Sequence, residues 1–153
     1  MSFTVINADV VEWAAAYDGP AFHALLCDPP YELGFMSRKW DASGVAFRPE
    51  TWAALGRHLH PGAFGFAFAA ARGWHRMAVA IEDAGYVFHP SVFCLGWNYA
   101  SGFPKATRIQ GATDFDNHRY GMQAIKPALE PILCFQKPYR GRSSDSISET
   151  GAG

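Results

Sequence analysis

The sequence predicts an α/β fold with a mostly parallel sheet. Short apolar runs of strand length alternate with segments in which apolar residues recur at helical spacing. The 153 residues fit one domain, and 49% hydrophobic with 18% charged residues excludes a disordered or coiled-coil chain. Ligands of such sheets bind beyond the carboxyl ends of the strands, so we expect the functional loop to follow a buried strand.

The first quarter of the chain predicts two strands with a helix between them. Residues 3–6 are apolar and predict a short strand. Asp9 is a suitable N-cap for a helix over residues 10–17, which the turn at residues 18–20 ends. The continuous apolar run at residues 22–27 is typical of a strand buried on both faces.

The remaining elements follow from the same two patterns, which are apolar runs of strand length and apolar residues at helical spacing. After a loop to residue 47, a helix is expected to begin at Pro49 and to end at the His60-Pro61-Gly62 turn. We expect strands at residues 63–70, 87–97 (interrupted near Pro90) and 131–136, a helix from Trp74 to Gly85, and a mostly irregular segment at 98–128. This divides the chain into a main region (1–142) and a flexible Ser-rich tail (143–153).

Several classes of protein are not expected. Pro, Gly or a charged residue interrupts every apolar stretch, so we expect no membrane span, and the N-terminus has no signal-peptide pattern. Cys27, Cys94 and Cys134 lack metal-ligand spacing and predict reduced core thiols of an intracellular protein. The six histidines form no ligand pattern, and we expect no metal.

The positive charge is concentrated in one segment. Residues 101–142 hold 7 basic and 3 acidic side chains, although the whole chain has a net charge of −1. A local basic segment of this kind favours contact with phosphate, but an ordinary solvated loop remains an alternative. The candidate phosphate-binding residues are Lys105, Arg108, Arg119, Lys126 and Arg140.

The strand at residues 22–27 leads into Asp28-Pro29-Pro30-Tyr31. The two prolines keep the backbone extended, so their carbonyl groups cannot turn into a helix. The motif therefore offers an acceptor carboxylate, a rigid acceptor carbonyl and an aromatic ring for stacking. This set suits a planar ligand with an amino group, while a proline turn with a packed tyrosine is the alternative.

Asp28-Pro29-Pro30-Tyr31 resembles the DPPY motif of the DNA amino-methyltransferases with the beta-like motif order. Further segments resemble the same family in the same order, and together they cover residues 5–138. They are Asn7-Ala8-Asp9, Trp40-Asp41, Leu59-His60-Pro61-Gly62, Gly96-Trp97, Ser101-Gly102-Phe103-Pro104-Lys105 and Lys126-Pro127-Ala128-Leu129-Glu130-Pro131-Ile132.

The resemblance implies a Rossmann-like S-adenosylmethionine-dependent methyltransferase fold and a role in restriction-modification or phage DNA methylation. It implies methyl transfer to the exocyclic amino group of a flipped adenine in DNA, in the cytoplasm of a bacterium or phage-infected cell. The implied catalytic residues are Asp28, Pro29, Pro30 and Tyr31. Ala8, Asp9 and Asp28 are implied to bind the cofactor, and Tyr31, Trp40, Lys105, Arg108 and Lys126 the DNA, with residues 98–128 as the target-recognition insertion.

The chain departs from the family in one respect, because no FxGxG-type cofactor loop occurs in it. It therefore resembles the catalytic half of a longer protein, and we expect the fold to be completed by a C-terminal cofactor half or a second subunit. A non-catalytic fragment remains an alternative, as do cytosine, RNA or protein glutamine as substrates. Asp9 could equally serve only as a helix cap, and Trp40 only as a core residue.

Overall fold

The computed structural model describes residues 3–34, 39–89, 91–100, 107–111, 114–120 and 128–153. Its helices are α1 (Val10–Ala16), α2 (Pro49–Gly56), α3 (Trp74–Asp83) and α4 (Ser143–Thr150), and 3₁₀ turns lie at Lys39–Ala42 and Val45–Phe47. Its strands are β1 (Phe22–Cys27), β2 (Leu59–Phe68), β3 (Val87–Phe88), β4 (Cys94–Tyr99), β5 (Thr107–Arg108), β6 (Arg119–Tyr120) and β7 (Ala128–Gln136).

The main sheet has the order β1-β2-β7-β3, and β4 also pairs with β7. β1 and β2 are parallel, whereas β2, β3 and β4 are all antiparallel to β7. The α/β class is therefore confirmed, but the expectation of a mostly parallel sheet is wrong for the described strands. The periodicity of the chain locates a strand without fixing its direction.

β1, β2 and β3 nevertheless run in one direction, because β2 and β3 share the antiparallel neighbour β7. α2 precedes β2, and α3 connects β2 to β3, which is the arrangement of a parallel α/β unit. β7 lies between β2 and β3. The carboxyl ends of the three helix-connected strands consequently lie toward the same end of the sheet.

Pro61 lies where two element boundaries differ from those expected. α2 ends at Gly56 and β2 already begins at Leu59, so Pro61 lies inside a strand. The pairing with β1 shifts register there, since Phe22 pairs with Leu59 but Ala24 with Phe64. Such a bulge accommodates a residue that cannot donate to the ladder.

The core lies between the sheet and helices α2 and α3. Its largest fully buried side chains are Trp52, Met77, Ile81, Leu133 and Phe135. Trp52 packs edge-on against Phe135 of β7, with ring centroids 5.8 Å apart. This packing fixes β7 against the helical layer and, through it, the strands on either side.

Three further expectations are corrected. Residues 3–6 form no strand, and Phe3 and Val5 are 89% and 82% exposed, because no described strand pairs with them. β1 is not buried on both faces, since Leu26 is 74% exposed. The tail contains α4 instead of a flexible segment: Gly151 caps the helix at a φ of 71°, and its N–H donates to the Ile147 carbonyl at 2.8 Å.

No helix in the described ranges is long and apolar enough to cross a membrane.

Candidate active site

The Asp28-Pro29-Pro30-Tyr31 segment begins directly after β1 ends at Cys27. Cys27 pairs with Ala67 of β2, so the start of the segment is fixed to the sheet. Burial, followed by the charge of Asp28, raises the pKa of the Cys27 thiol to about 12. Cys27 is therefore a protonated packing residue, and the Asp28 carboxylate follows it at the start of the loop.

A cavity of about 610 Å³ opens beside this segment. Its volume lies within the roughly 300–1,000 Å³ of typical small-ligand pockets. Aromatic rings and carboxylates form much of its wall, so it can hold a planar polar ligand. The lining residues are Asp28, Pro29, Pro30, Tyr31, Leu33, Trp40, Asp41 and Glu130.

Tyr31 and Glu130 meet across this cavity although 99 positions separate them in the sequence. The Tyr31 hydroxyl donates to Oε2 of Glu130 at 3.4 Å. Burial raises the pKa of Tyr31, and the nearby charges and hydrogen-bond acceptors of Asp28 and Glu130 raise it further. The phenol is therefore a neutral hydrogen-bond donor placed between two carboxylates.

The backbone after Tyr31 is attached to the first 3₁₀ turn. Asp41 is only 2% exposed, and its Oδ1 accepts from the Glu32 N–H at 3.0 Å. Glu32 has a φ of 56°, and its carboxylate accepts from the Gly44 N–H at 2.8 Å. These bonds place Trp40, which is 59% exposed, at the cavity wall and not in the core.

A second cavity of about 260 Å³ lies against the same segment. Asp28, Pro29 and Pro30 line both cavities. The rest of the second cavity is mostly apolar and includes the first residue of α1: its other lining residues are Val10, Cys27, Val45, Ala46, Thr51, Trp52 and Leu55. The Asp28–Pro30 backbone is thus a wall between a polar cavity and an apolar one.

Asp9 caps α1, as its sequence position predicted. Its Oδ1 accepts from the N–H groups of Val11 and Glu12 at 2.9 and 3.1 Å. Both bonds end on the same oxygen, and a carboxylate oxygen such as Oδ2 can accept further bonds. Ala8 and Asp9 are exposed, next to the α1 residue Val10 that lines the apolar cavity.

The predicted phosphate-binding residues are only partly described. Arg108 and Arg119 are exposed and are opposite each other in the two-stranded β5–β6 sheet. The Arg108 guanidinium donates to the side-chain oxygen of Asn117. Arg140 is exposed after β7, whereas Lys105 and Lys126 lie outside the described residues.

Glu130, Asp41 and Leu33 line the polar cavity but were given no role from the sequence. Glu130 and Asp41 lie inside two of the segments that carried the family resemblance, so a signal was present. Their place in the cavity depends on how β7 and the 3₁₀ turn pack. Among the described residues, no group of three or more His, Cys, Asp or Glu side chains could hold a metal ion.

A curated protein is similar in sequence to part of this chain. The chain is 33% identical over 96 residues to the Type II methyltransferase M.HindIII of Haemophilus influenzae (strain ATCC 51907 / DSM 11121 / KW20 / Rd). The match covers 58% of this chain and 30% of the relative, so the chain spans less than a third of that protein. No family model matches the chain.

Solved structures have the same fold. The M1.HpyAVI–SAM complex matches with a TM-score of 0.57 at 18% identity, over 88% of this chain and 53% of that one. A DNA modification methylase from Thermus thermophilus matches with a TM-score of 0.51 at 19% identity, over 93% of this chain and 58% of that one. The chain is therefore a homologue of a Type II methyltransferase over the matched residues, and it has the Rossmann-like fold of methyltransferases that the resemblance implied.

Proposed function

We propose that the protein containing this chain transfers a methyl group from S-adenosylmethionine to the exocyclic amino group of a base in DNA, with adenine as the target. The observation that carries the proposal is the Asp28–Pro30 wall between two cavities. A methyl transfer needs two ligands whose reacting atoms meet, and a shared wall is where they would meet. The homology to a Type II methyltransferase supports the reaction class.

The residues present fit one end of the cofactor. The apolar cavity is about 260 Å³, slightly below the range of roughly 300–1,000 Å³ for complete ligand pockets. Its apolar wall suits a ring, and the carboxylates of Asp9 and Asp28 lie near it as acceptors for amino groups. S-adenosylmethionine, when bound, supplies an electrophilic methyl group on a positively charged sulfur.

Asp28 and the Pro29 carbonyl would activate the target amino group. The nitrogen lone pair of adenine is delocalised into the ring, so the neutral amino group is a poor nucleophile. If both amino hydrogens are hydrogen-bonded to Asp28 and the Pro29 carbonyl, the nitrogen can become pyramidal and direct its lone pair at the methyl carbon. Forming the new N–C bond would break the methyl–sulfur bond, whose electron pair would stay on the sulfur of the cofactor, and the methylated nitrogen would then release a proton to water. The two acceptors would supply orientation and electrostatic stabilisation.

The polar cavity would hold the base. A base in a duplex must be flipped out of the stack to reach such a site. Tyr31 and Trp40 offer rings on which it can stack, and each such contact contributes on the order of 1–3 kcal/mol. The cavity volume of about 610 Å³ is large enough for one base with part of its sugar.

The β5–β6 sheet would contact the DNA backbone. Arg108 and Arg119 are cross-strand partners, and like charges in this arrangement repel each other. A phosphate between them would offset this repulsion, which favours a nucleic-acid surface over an ordinary loop. Lys105 and Lys126 are proposed to belong to the same surface, as is the surrounding 98–128 segment as a target-recognition insertion.

We also propose that residues outside this chain complete the cofactor site. The chain has no FxGxG-type loop and spans 30% of the curated relative. Among the described strands, β1 pairs only with β2, so its other edge is open to a further strand. A C-terminal cofactor half or a second subunit is the proposed source, and a non-catalytic fragment is the second candidate because so little of the relative is covered.

The proposal is tested with two polypeptides: the 153 residues alone and the longest natural polypeptide that contains them. The longer one should bind S-adenosylmethionine by calorimetry and should incorporate radiolabelled methyl groups into DNA. The 153 residues alone should bind the cofactor very weakly and should not methylate. Methylated bases from digested DNA should be N6-methyladenine by mass spectrometry.

Asp28→Ala in the longer polypeptide provides the matched variant. It should lower methyl transfer by at least about 100-fold, as for loss of a preorganised hydrogen-bonding group. Far-ultraviolet circular dichroism should show an unchanged fold. An inactive wild-type protein that binds no cofactor would support the non-catalytic candidate, and near-normal activity of Asp28→Ala would remove Asp28 from the mechanism.

A further inference from the structure

Besides the buried Asp41, the polar cavity is lined by one phenol and two carboxylates that lie close together. Asp28 and Tyr31 come from the loop after β1, and Glu130 comes from β7. The position of Glu130 is fixed by the sheet, because Glu130 pairs with Trp97 of β4, and the carbonyl of the next residue, Pro131, accepts from the Ala69 N–H at 2.9 Å. The backbone that carries the Glu130 carboxylate is therefore held in place opposite the motif.

The hydroxyl of Tyr31 has one proton to share between these acceptors. An ionised carboxylate only accepts hydrogen bonds. Asp28 and Glu130 can therefore each accept from the Tyr31 hydroxyl, depending on which way the O–H group turns. In the structure the hydroxyl donates to Glu130 Oε2, and Asp28 also lies within hydrogen-bonding reach of it. The distance of 3.4 Å is longer than the roughly 2.5–3.0 Å of a usual O–H···O bond, so the hydroxyl is directed and not locked.

The choice of acceptor matters for the proposed reaction. Asp28 must keep its lone pairs for the amino hydrogens of the base, and a hydrogen bond from Tyr31 would compete for them. The same charges that direct the hydroxyl also keep it protonated, since burial and then the two carboxylates raise the pKa of Tyr31. Tyr31 thus stays a donor, and its partner decides whether Asp28 is free.

We propose that Glu130 is a positioning residue that holds the Tyr31 hydroxyl and so leaves the Asp28 carboxylate free to accept from the target amino group. This inference rests on the proposed function. Glu130 acts on the chemistry through Tyr31 and Asp28. A purely structural role would be to hold the loop against β7, and it makes a different prediction.

The positioning role and the structural role of Glu130 predict different effects of a second substitution. If Glu130 acts by holding the hydroxyl, Glu130→Ala should lower kcat about 10- to 100-fold, as for one hydrogen bond to a charged group. Adding Tyr31→Phe removes the competing hydroxyl, so the double variant should recover to the level of Tyr31→Phe alone. Glu130→Gln keeps an acceptor oxygen and should lose less activity. A structural role predicts no recovery, because the double variant has lost more contacts.

A measurement without catalysis tests the same contact. Tyrosine labelled with ¹³C at Cζ gives a resonance for Tyr31, which Tyr31→Phe identifies by its disappearance. In the Glu130→Ala protein, Asp28→Asn should move this resonance markedly, because the hydroxyl has turned to residue 28. In the wild-type background, Asp28→Asn should move it little. Equal shifts in the two backgrounds would overturn the inference.

The two proposals fail in different ways. A wild-type protein that shows the spectroscopic coupling but transfers no methyl group would overturn the proposed function while leaving the role of Glu130 in holding the hydroxyl. An active wild-type protein without recovery in the double variant would overturn the positioning role alone. Should Glu130→Ala fail to fold, the comparison is made with Glu130→Gln. The changes in kcat and in the Tyr31 resonance are then expected in the same direction but with smaller magnitude.

Discussion

The Asp41 carboxylate is buried and accepts from the backbone N–H of Glu32 at 3.0 Å, so a single side chain connects the loop after β1 to the 3₁₀ turn that carries Trp40. In a second connection the side chain comes from the loop: the Glu32 carboxylate accepts from the Gly44 N–H at 2.8 Å. The two bonds hold Glu32 at a φ of 56°, which costs energy for a residue with a side chain. The cavity wall formed by Tyr31 and Trp40 therefore depends on this pair.

Asp41→Ala should destabilise the protein by about 1–3 kcal/mol, because it leaves the partly buried Glu32 N–H without its acceptor. Asp41→Asn keeps an oxygen in the same position and is the matched control, with a smaller loss expected. Urea unfolding followed by tryptophan fluorescence measures both. Equal losses for the two variants would mean that the charge of Asp41, and not the bond to Glu32, stabilises the loop.

Tyr31→Phe should keep much of the methyl transfer, whereas Tyr31→Ala should lose it. The ring provides the stacking surface, and in the phenylalanine variant no hydroxyl competes for Asp28. Initial rates on DNA with radiolabelled S-adenosylmethionine give the comparison. If both variants fail equally, the hydroxyl is required for activity and the stacking role is wrong.

Arg108→Glu and Arg119→Glu should each weaken DNA binding and reduce the slope of log affinity against log salt concentration by about one. The reason is that each arginine is expected to neutralise one phosphate. Fluorescence anisotropy with a labelled duplex at several salt concentrations measures the slope. Arg57→Glu, at the exposed end of α2, is the control and should leave the slope unchanged. An unchanged slope for the first two variants would place the DNA backbone elsewhere.

Cys27 should react slowly with iodoacetamide in the native protein. Its pKa is raised from 9.0 to about 12, and only the thiolate reacts, so at pH 9 alkylation should be on the order of 500-fold slower than in urea. Mass spectrometry of quenched samples gives the rate for this cysteine.

The same pKa shift affects alkaline stability. Between pH 9 and pH 12 the unfolded thiol releases a proton that the native one retains, so this group's contribution to stability falls as the pH rises. Cys27→Ala should make the alkaline decline less steep. Rapid native alkylation at pH 9 would show that Cys27 is reached by solvent.

The sequence by itself determined the local elements and the chemistry of the motif. Asp9 caps α1 and Pro49 opens α2 because capping and fixed dihedral angles are properties of the residues concerned. The carboxylate, rigid carbonyl and ring of Asp28-Pro29-Pro30-Tyr31 likewise follow from four consecutive residues after a strand. For these features, the physical cause lies entirely within a few neighbouring residues of the sequence.

Only the tertiary structure decided which distant groups meet. The run at residues 3–6 is as apolar as a strand but has no partner in the described sheet, and β7 runs antiparallel to its neighbours, which its apolar pattern does not specify. Glu130 reaches Tyr31 across 99 positions through the pairing of β7, and Asp41 reaches Glu32 through the packing of a 3₁₀ turn. Periodicity records which residues are apolar, whereas the direction and neighbours of a strand depend on packing between segments that are remote in the chain.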